Sequence, residues 1–316
     1  MPGRNDTVAH DLQGLCASLV LGGVSRMSKP VYSDEMYHDA MVVVVGDIIY
    51  SNASCDSKIG RIRKLTEYIV RRLTKYNPNS SLELGDDRTI AALKRAGVTE
   101  QFFWDAYKVI RNNGNDANHS KVTVLPDEAD LEHVKKASLI TFCYLFFDYF
   151  KKYPFGSSPQ VMRSFSLLPP FMRLTVLLEL LRADPSNIFV IDKLRLVLVK
   201  TLGMDDALRL VESEKEFLTA HQMPYSSDNM KMKILIYGVE NMTTVMKEMQ
   251  ETIYDYLVRE IPKVRILGEI NLPYTTFETA KKYYLENGII AGNTPEITEF
   301  NSLMKFRYTG IRIANE

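Results

Sequence analysis

Residues 138–150, SLITFCYLFFDYF, limit what this chain can fold into more than any other segment. The run is about 13 residues long, where a bilayer span requires roughly 20, and Asp148 interrupts it. A segment this apolar, set inside a longer helical pattern over 126–153, is expected to be a helix buried in protein. The side chains of 139–150 also carry more hydrophobic surface than one small bundle readily buries, which points to a dimer through that bundle.

Helical patterns surround this segment. Residues 34–52 are apolar from Met41 to Val45 and again from Ile48 to Tyr50. The four valines alone would suit a strand, but the length of the segment favours a helix. Over 57–76, Ile59, Ile62, Leu65, Ile69 and Leu73 recur at steps of three and four and form one apolar face. Ser57 is its candidate cap, and Asn77-Pro78-Asn79 its stop. Residues 87–96 and 99–110 read as two further helices, the second with Thr99 as cap. Residues 34–153 are therefore expected to form a helical bundle, preceded by an extension over 1–33 that is expected to lack order. Met27 opens an ordinary-looking beginning, so residues 1–26 read either as such an extension or as the product of an upstream start codon.

Gly156, Ser157, Ser158, Pro159 and the pair Pro169-Pro170 mark 154–170 as a linker. Beyond it lies a C-terminal region, 171–316, opening with helices over 171–183, 188–202 and 205–221. After Pro224 the pattern changes. Residues 232–237 (MKILIY) and 263–270 (KVRILGEI) look like strands, 241–260 and 275–286 like helices, and 303–313 alternates in part. The expected fold is mainly α: a helical bundle, a helical segment, and a small α/β or α+β C-terminal module.

With 46% hydrophobic and 25% charged residues, the chain is not a disordered one. Lys+Arg and Asp+Glu both number 39, so net charge exerts no overall pull on nucleic acid, and any such binding must come from a local patch. Cys16, Cys55 and Cys143 are odd in number and far apart, which excludes a disulfide scaffold and a four-cysteine zinc site. A reducing, cytoplasmic location is expected, without membrane insertion. His10, His38, His133 and His221 show no ligand spacing. No HExxH, CxxC, P-loop, G-x-G-x-x-G or G-x-S-x-G pattern occurs, so no metal or cofactor is expected.

Residues 110–119 read IRNNGNDANH. If helical, they set Arg111, Asn115 and His119 at i, i+4 and i+8, close to one face. Arginine is a permanently charged fork for phosphate, histidine exchanges protons near neutral pH, and an asparagine amide can orient either. Those are the ingredients of RNA cleavage without a metal. The same residues are also good loop formers, and NNGNDAN by itself would pass as a polar turn.

The pattern R-x-x-G-N-x-x-x-H, a few residues after Trp104, resembles the HEPN superfamily. It is closest to the HEPN-like domain of unknown function found alone and in type I restriction subunits. Arg63 and Glu67, one turn apart on an earlier helix, match that family's Arg and Glu, and a long hydrophobic helix follows in both. The resemblance covers roughly residues 37–153. It implies a homodimer whose protomers bring Arg and His to a shared cleft, in an antiphage, toxin or restriction setting. Arg111, Asn115 and His119 would be its catalytic residues. Seven residues separate Arg111 from His119, a longer spacing than is usual in the family, and a helix break at Gly114 would restore their proximity.

Arg61, Lys64, Tyr68, Arg71 and Lys75 share the helix face opposite the apolar stripe of 57–76. Basic residues with an interleaved aromatic suit a nucleic-acid contact; the plain alternative is a solvated helix face. Met223, Met230, Met232, Met242, Met246 and Met249 crowd one region, as core filler or as an adaptable partner surface. Two functions follow: a metal-independent endoribonuclease, or a non-enzymatic module binding a partner protein or nucleic acid.

Overall fold

The computed structural model describes residues 32–116, 125–225, 238, 250–264 and 276–313. These residues form a mainly α fold. A 3-10 turn, Asp34–Tyr37, leads into α1 (His38–Tyr50), followed by α2 (Cys55–Thr74), α3 (Asp87–Arg95), α4 (Gln101–Asp116) and α5 (Glu128–Lys152). Then come α6 (Pro159–Phe165), α7 (Pro170–Ala183), α8 (Ile188–Leu202), α9 (Met204–Ser213), α10 (Lys215–Thr219), α11 (Ile253–Glu260), α12 (Phe277–Asn287) and α13 (Pro295–Arg307).

Helix α5 is the axis of the molecule. An Asp127–Asp130 capping box starts it, and every residue from Thr141 to Phe147 is buried. A helix buried on all sides needs cover on all sides. Helices α2 and α4 pack on one flank, and α7 and α13 on the other. Phe146, Tyr149 and Phe150 lie 6.0, 5.2 and 6.3 Å from the ring of Phe300 on α13. Phe150 stacks edge-on against Phe165 of α6 at 5.3 Å, and Phe142 lies 5.9 Å from Phe306. The hydrophobic load of 139–150 is therefore covered by this chain's own C-terminal half, and it gives no argument for a dimer.

The segment expected as a linker is also built into this core. Pro159 at the first helical position and the Ser158 cap start α6 inside it, and Phe155, Val161, Phe165 and Leu168 are buried. Its Gly and Pro residues punctuate tight turns between packed elements.

The apolar stripe of α2 is borne out, with Ile59, Ile62, Leu65 and Ile69 buried and Leu73 packed against the core. Its cap is Ser54 rather than Ser57: the Ser54 hydroxyl accepts from the Ser57 amide at 3.4 Å, so the helix starts three residues early.

Among the described residues there is no strand, only an isolated antiparallel bridge between Gln222 and Thr252. The partly alternating segment 303–313 is no strand: residues up to Arg307 are the last turns of α13, and 308–310 form the turn that follows. Thr294 caps that helix, Pro295 opens it, and Phe300, Leu303, Met304 and Arg307 are buried at helical spacing. Alternation read over a few residues there was a helical repeat sampled too briefly. The strand expected over 232–237 lies outside the described residues, as does most of the one expected over 263–270, whose Lys263 ends a 3-10 turn, and most of the extension over 1–33, whose Tyr32 is buried. Cys16 and all the clustered methionines except Met223, which is buried, also lie outside them.

Both ends of the described chain meet on α1 and α13. Buried Arg72 pairs with Asp34 and donates to Ser302 at 3.1 Å, and Ser302 donates to Asp34 at 2.8 Å. Gly310, at φ +79°, lies against α1 so closely that a Cβ there would sit 2.8 Å from Val45. Only glycine meets both the left-handed backbone and that approach.

Candidate functional site

Helix α4 continues to Asp116, so Asn112, Asn113 and Gly114 are helical and not a polar turn. Phe103, Ala106, Tyr107 and Ile110 are buried along one face, and Gly114 extends that face by one more turn. Packing overrides the weak helix propensity of the asparagines. Asn113 Nδ2 also donates to the Val109 carbonyl one turn back, at 2.8 Å. Gly114 does not break the helix. It faces Arg63 of α2, where a Cβ would lie 2.9 Å from the Arg63 Cδ. The glycine thus leaves room for an arginine to lie flat along α4.

Arg63 Nη1 donates to the main-chain oxygen of Arg111 at 3.4 Å, which ties the two helices at the motif itself. The Arg111 side chain is half-buried and pairs with no carboxylate among the described residues. Its Nε and Nη2 lie 3.4 Å from Asn112 Oδ1. Asn115 stands one turn further along α4, with its side chain outside the description, and His119 lies outside the described residues.

Glu67 lies one turn beyond Arg63 on α2, with Arg63 Nε 3.9 Å from its Oε1. Burial pushes the Glu67 carboxyl up to about 7, against the pull of Arg63, Arg71 and Lys64. Tyr107 fills the seam between α2 and α4 and donates to the Leu84 carbonyl at 2.6 Å. Burial raises its hydroxyl pKa, while Arg111 and Arg63 act the other way. Trp104 packs edge-on against Tyr107 at 5.6 Å and donates to the Val98 carbonyl at 3.2 Å. Arg63, Glu67, Tyr107 and Arg111 thus gather on one seam: two guanidinium groups and a carboxyl poised near neutrality. Arg63 and Glu67 stand out in the sequence by resemblance alone. The altered acidity of Glu67 has no sequence signal, because it comes from burial beneath a neighbouring helix.

The basic face of α2 is not a continuous stripe. Tyr68 is buried, 5.3 Å from the Tyr37 ring. Arg61 pairs with Asp47 of α1 at 3.0 Å. Arg71 turns to the loop after its helix, donating to the carbonyls of Asn77 and Ser80 at 3.1 and 2.8 Å, beneath the rings of Tyr37 and Tyr76. Lys75 takes a left-handed conformation at the helix end, its ammonium 5.1 Å from the Tyr32 ring centre. Lys64 is exposed. The 3-10 turn and the loop after α2 fold over the end of this face, which divides the expected patch.

Other reactive groups are set aside by their surroundings. Cys143 is wholly buried, and burial pushes its thiol up to about 12, far from a nucleophile's range. Among the described residues no group of three or more His, Cys, Asp or Glu is placed to hold a metal ion, and no helix is long and apolar enough to cross a membrane. No protein-family model, curated protein or solved structure matches this chain.

Proposed function

We propose that this chain is a HEPN-like endoribonuclease of a prokaryotic or phage conflict system. Support comes from the Arg111 side chain, without a carboxylate partner among the described residues, beside the Arg63–Glu67 pair. In this reading His119 takes the proton of a ribose 2′-hydroxyl, whose oxygen attacks the adjacent phosphorus. The bond to the 5′-oxygen breaks, and that oxygen leaves with the proton that His119 has taken up and now returns as an acid. The products are a 2′,3′-cyclic phosphate and a 5′-hydroxyl, and the step needs no metal. Arg111 balances the charge that builds on the phosphorane oxygens, and Asn115 orients the reacting groups. A homodimer with two such sites on a shared cleft, in the cytoplasm, belongs to the same proposal.

Purified wild type, His119→Ala and Arg111→Ala are compared on labelled RNA in excess EDTA. Wild type is expected to leave cyclic-phosphate ends, and each variant to lose about 100-fold or more in rate. Cleavage abolished by EDTA, or retained by His119→Ala, rejects the reading. A second reading, a non-enzymatic module docking a partner protein, draws on Val42, Val43 and Ile49, which α1 leaves exposed.

A further inference from the structure

Away from the α2–α4 seam, α1, α2, α5, the start of α12 and the end of α13 enclose a cleft of about 410 Å³. That is within the roughly 300–1,000 Å³ range of small-molecule sites. Ile48, Ile62, Leu139 and Phe142 form apolar walls. Arg307 of α13 also lines the cleft and is only 6% exposed. A buried guanidinium is ordinarily matched by a carboxylate. Arg307 pairs with none among the described residues. Its Nε donates to Met172 Sδ at 3.1 Å, and its charge rests on the rings of Phe277, Phe142 and Tyr308 at 4.6, 5.1 and 5.7 Å. Its two terminal nitrogens make no hydrogen bond among the described residues. Lys58, Lys135 and Lys136 stand around the cleft with one acid, Glu132, which pairs with Lys135 at 2.6 Å.

We infer that this cleft binds a small organic anion with an apolar body, a medium-chain carboxylate, whose head group pairs with Arg307 while its chain lies along the apolar walls. The planar fork of arginine accepts a carboxylate through two parallel hydrogen bonds, and the aromatic rings beneath it hold the guanidinium in one plane. The lysines bias the entrance toward anions, and the walls reject an anion with no apolar body. The site is separate from Arg111, so the inference stands independently of the ribonuclease reading.

Titration calorimetry on the full chain tests it with three probes: octanoate, octanol as the matched uncharged body, and acetate as the charge alone. Octanoate is expected to bind saturably with one site per chain, and at least about tenfold more tightly than either control. Arg307→Met is expected to abolish octanoate binding yet melt at or above the wild-type temperature, because it removes a buried charge with no opposite partner. Leu139→Trp is the second variant. It narrows the cleft from a half-buried position and is expected to weaken octanoate binding while sparing the fold. No octanoate binding by wild type, binding kept in Arg307→Met, or octanol bound equally well overturns the inference. If Arg307→Met fails to fold, full octanoate binding by Leu139→Trp overturns it as well.

Discussion

Glu67 holds its proton more tightly in the fold than an exposed glutamate does, about 7 against 4.5, because it is covered where α2 meets α4. Between those two values the folded chain carries more proton than the unfolded chain. Its contribution to stability is therefore full below about 4.5, falls as pH rises through the window, and is level above about 7. The whole change amounts to up to roughly 3 kcal/mol. Glu67→Gln keeps the shape and removes the titration. Urea denaturation across this window is expected to show a flatter pH profile for the variant, and higher stability than wild type above neutrality. Parallel profiles for the two proteins would mean that Arg63, at 3.9 Å, fully offsets the burial.

At the scale of one element, α2 shows how a single face divides its labour. Its apolar stripe packs on α5, while its basic residues split between structural and solvated roles. Arg71 ties the loop after the helix back onto α2, donating to the Asn77 and Ser80 carbonyls. Arg71→Gln is expected to cost about 1–2 kcal/mol in denaturant melts, since hydrogen bonds from a charged donor are the stronger kind. Lys64→Gln is expected to change stability by less than about 0.5 kcal/mol. It therefore tests phosphate contact cleanly: RNA binding should weaken, and the slope of log affinity against log salt should fall by about 1. An unchanged slope would make Lys64 an ordinary solvated side chain.

At the scale of the whole molecule, α5 joins what look like two halves of the sequence. Phe300 is fully buried and touches the rings of Phe146, Tyr149 and Phe150, so the C-terminal half supplies part of the wall around the central helix. Phe300→Ala is expected to destabilise the chain by about 3–5 kcal/mol in urea melts, the range for an aromatic side chain removed from a packed core. A fragment ending at residue 153 should bind a hydrophobic dye strongly and aggregate, since it leaves the α7 and α13 sides of α5 open. A fragment that is monomeric, dye-negative and cooperatively folded would show that the bundle is self-sufficient.

Most helices between 34 and 221 were legible because each carries its own apolar spacing, and the stripe Ile59, Ile62, Leu65, Ile69 needs no distant partner to be read; the short α6, read as linker, and the division of 205–221 into α9 and α10 were not. The burial of the 138–150 run was equally legible, because apolar content in an interrupted segment too short for a bilayer leaves few other outcomes. What covers that run was not, since Phe300 lies about 150 residues away and local spacing carries no record of a distant contact. The same limit applies to the site. Arg111 and Asn115 could be placed on one face from spacing alone. The continuity of α4 through Gly114, the lie of Arg63 across it, the acidity of Glu67 and the lone charge of Arg307 all arise where separate helices meet. Helical period is a property of neighbours along the chain, whereas burial, and with it every altered charge here, is a property of neighbours in space.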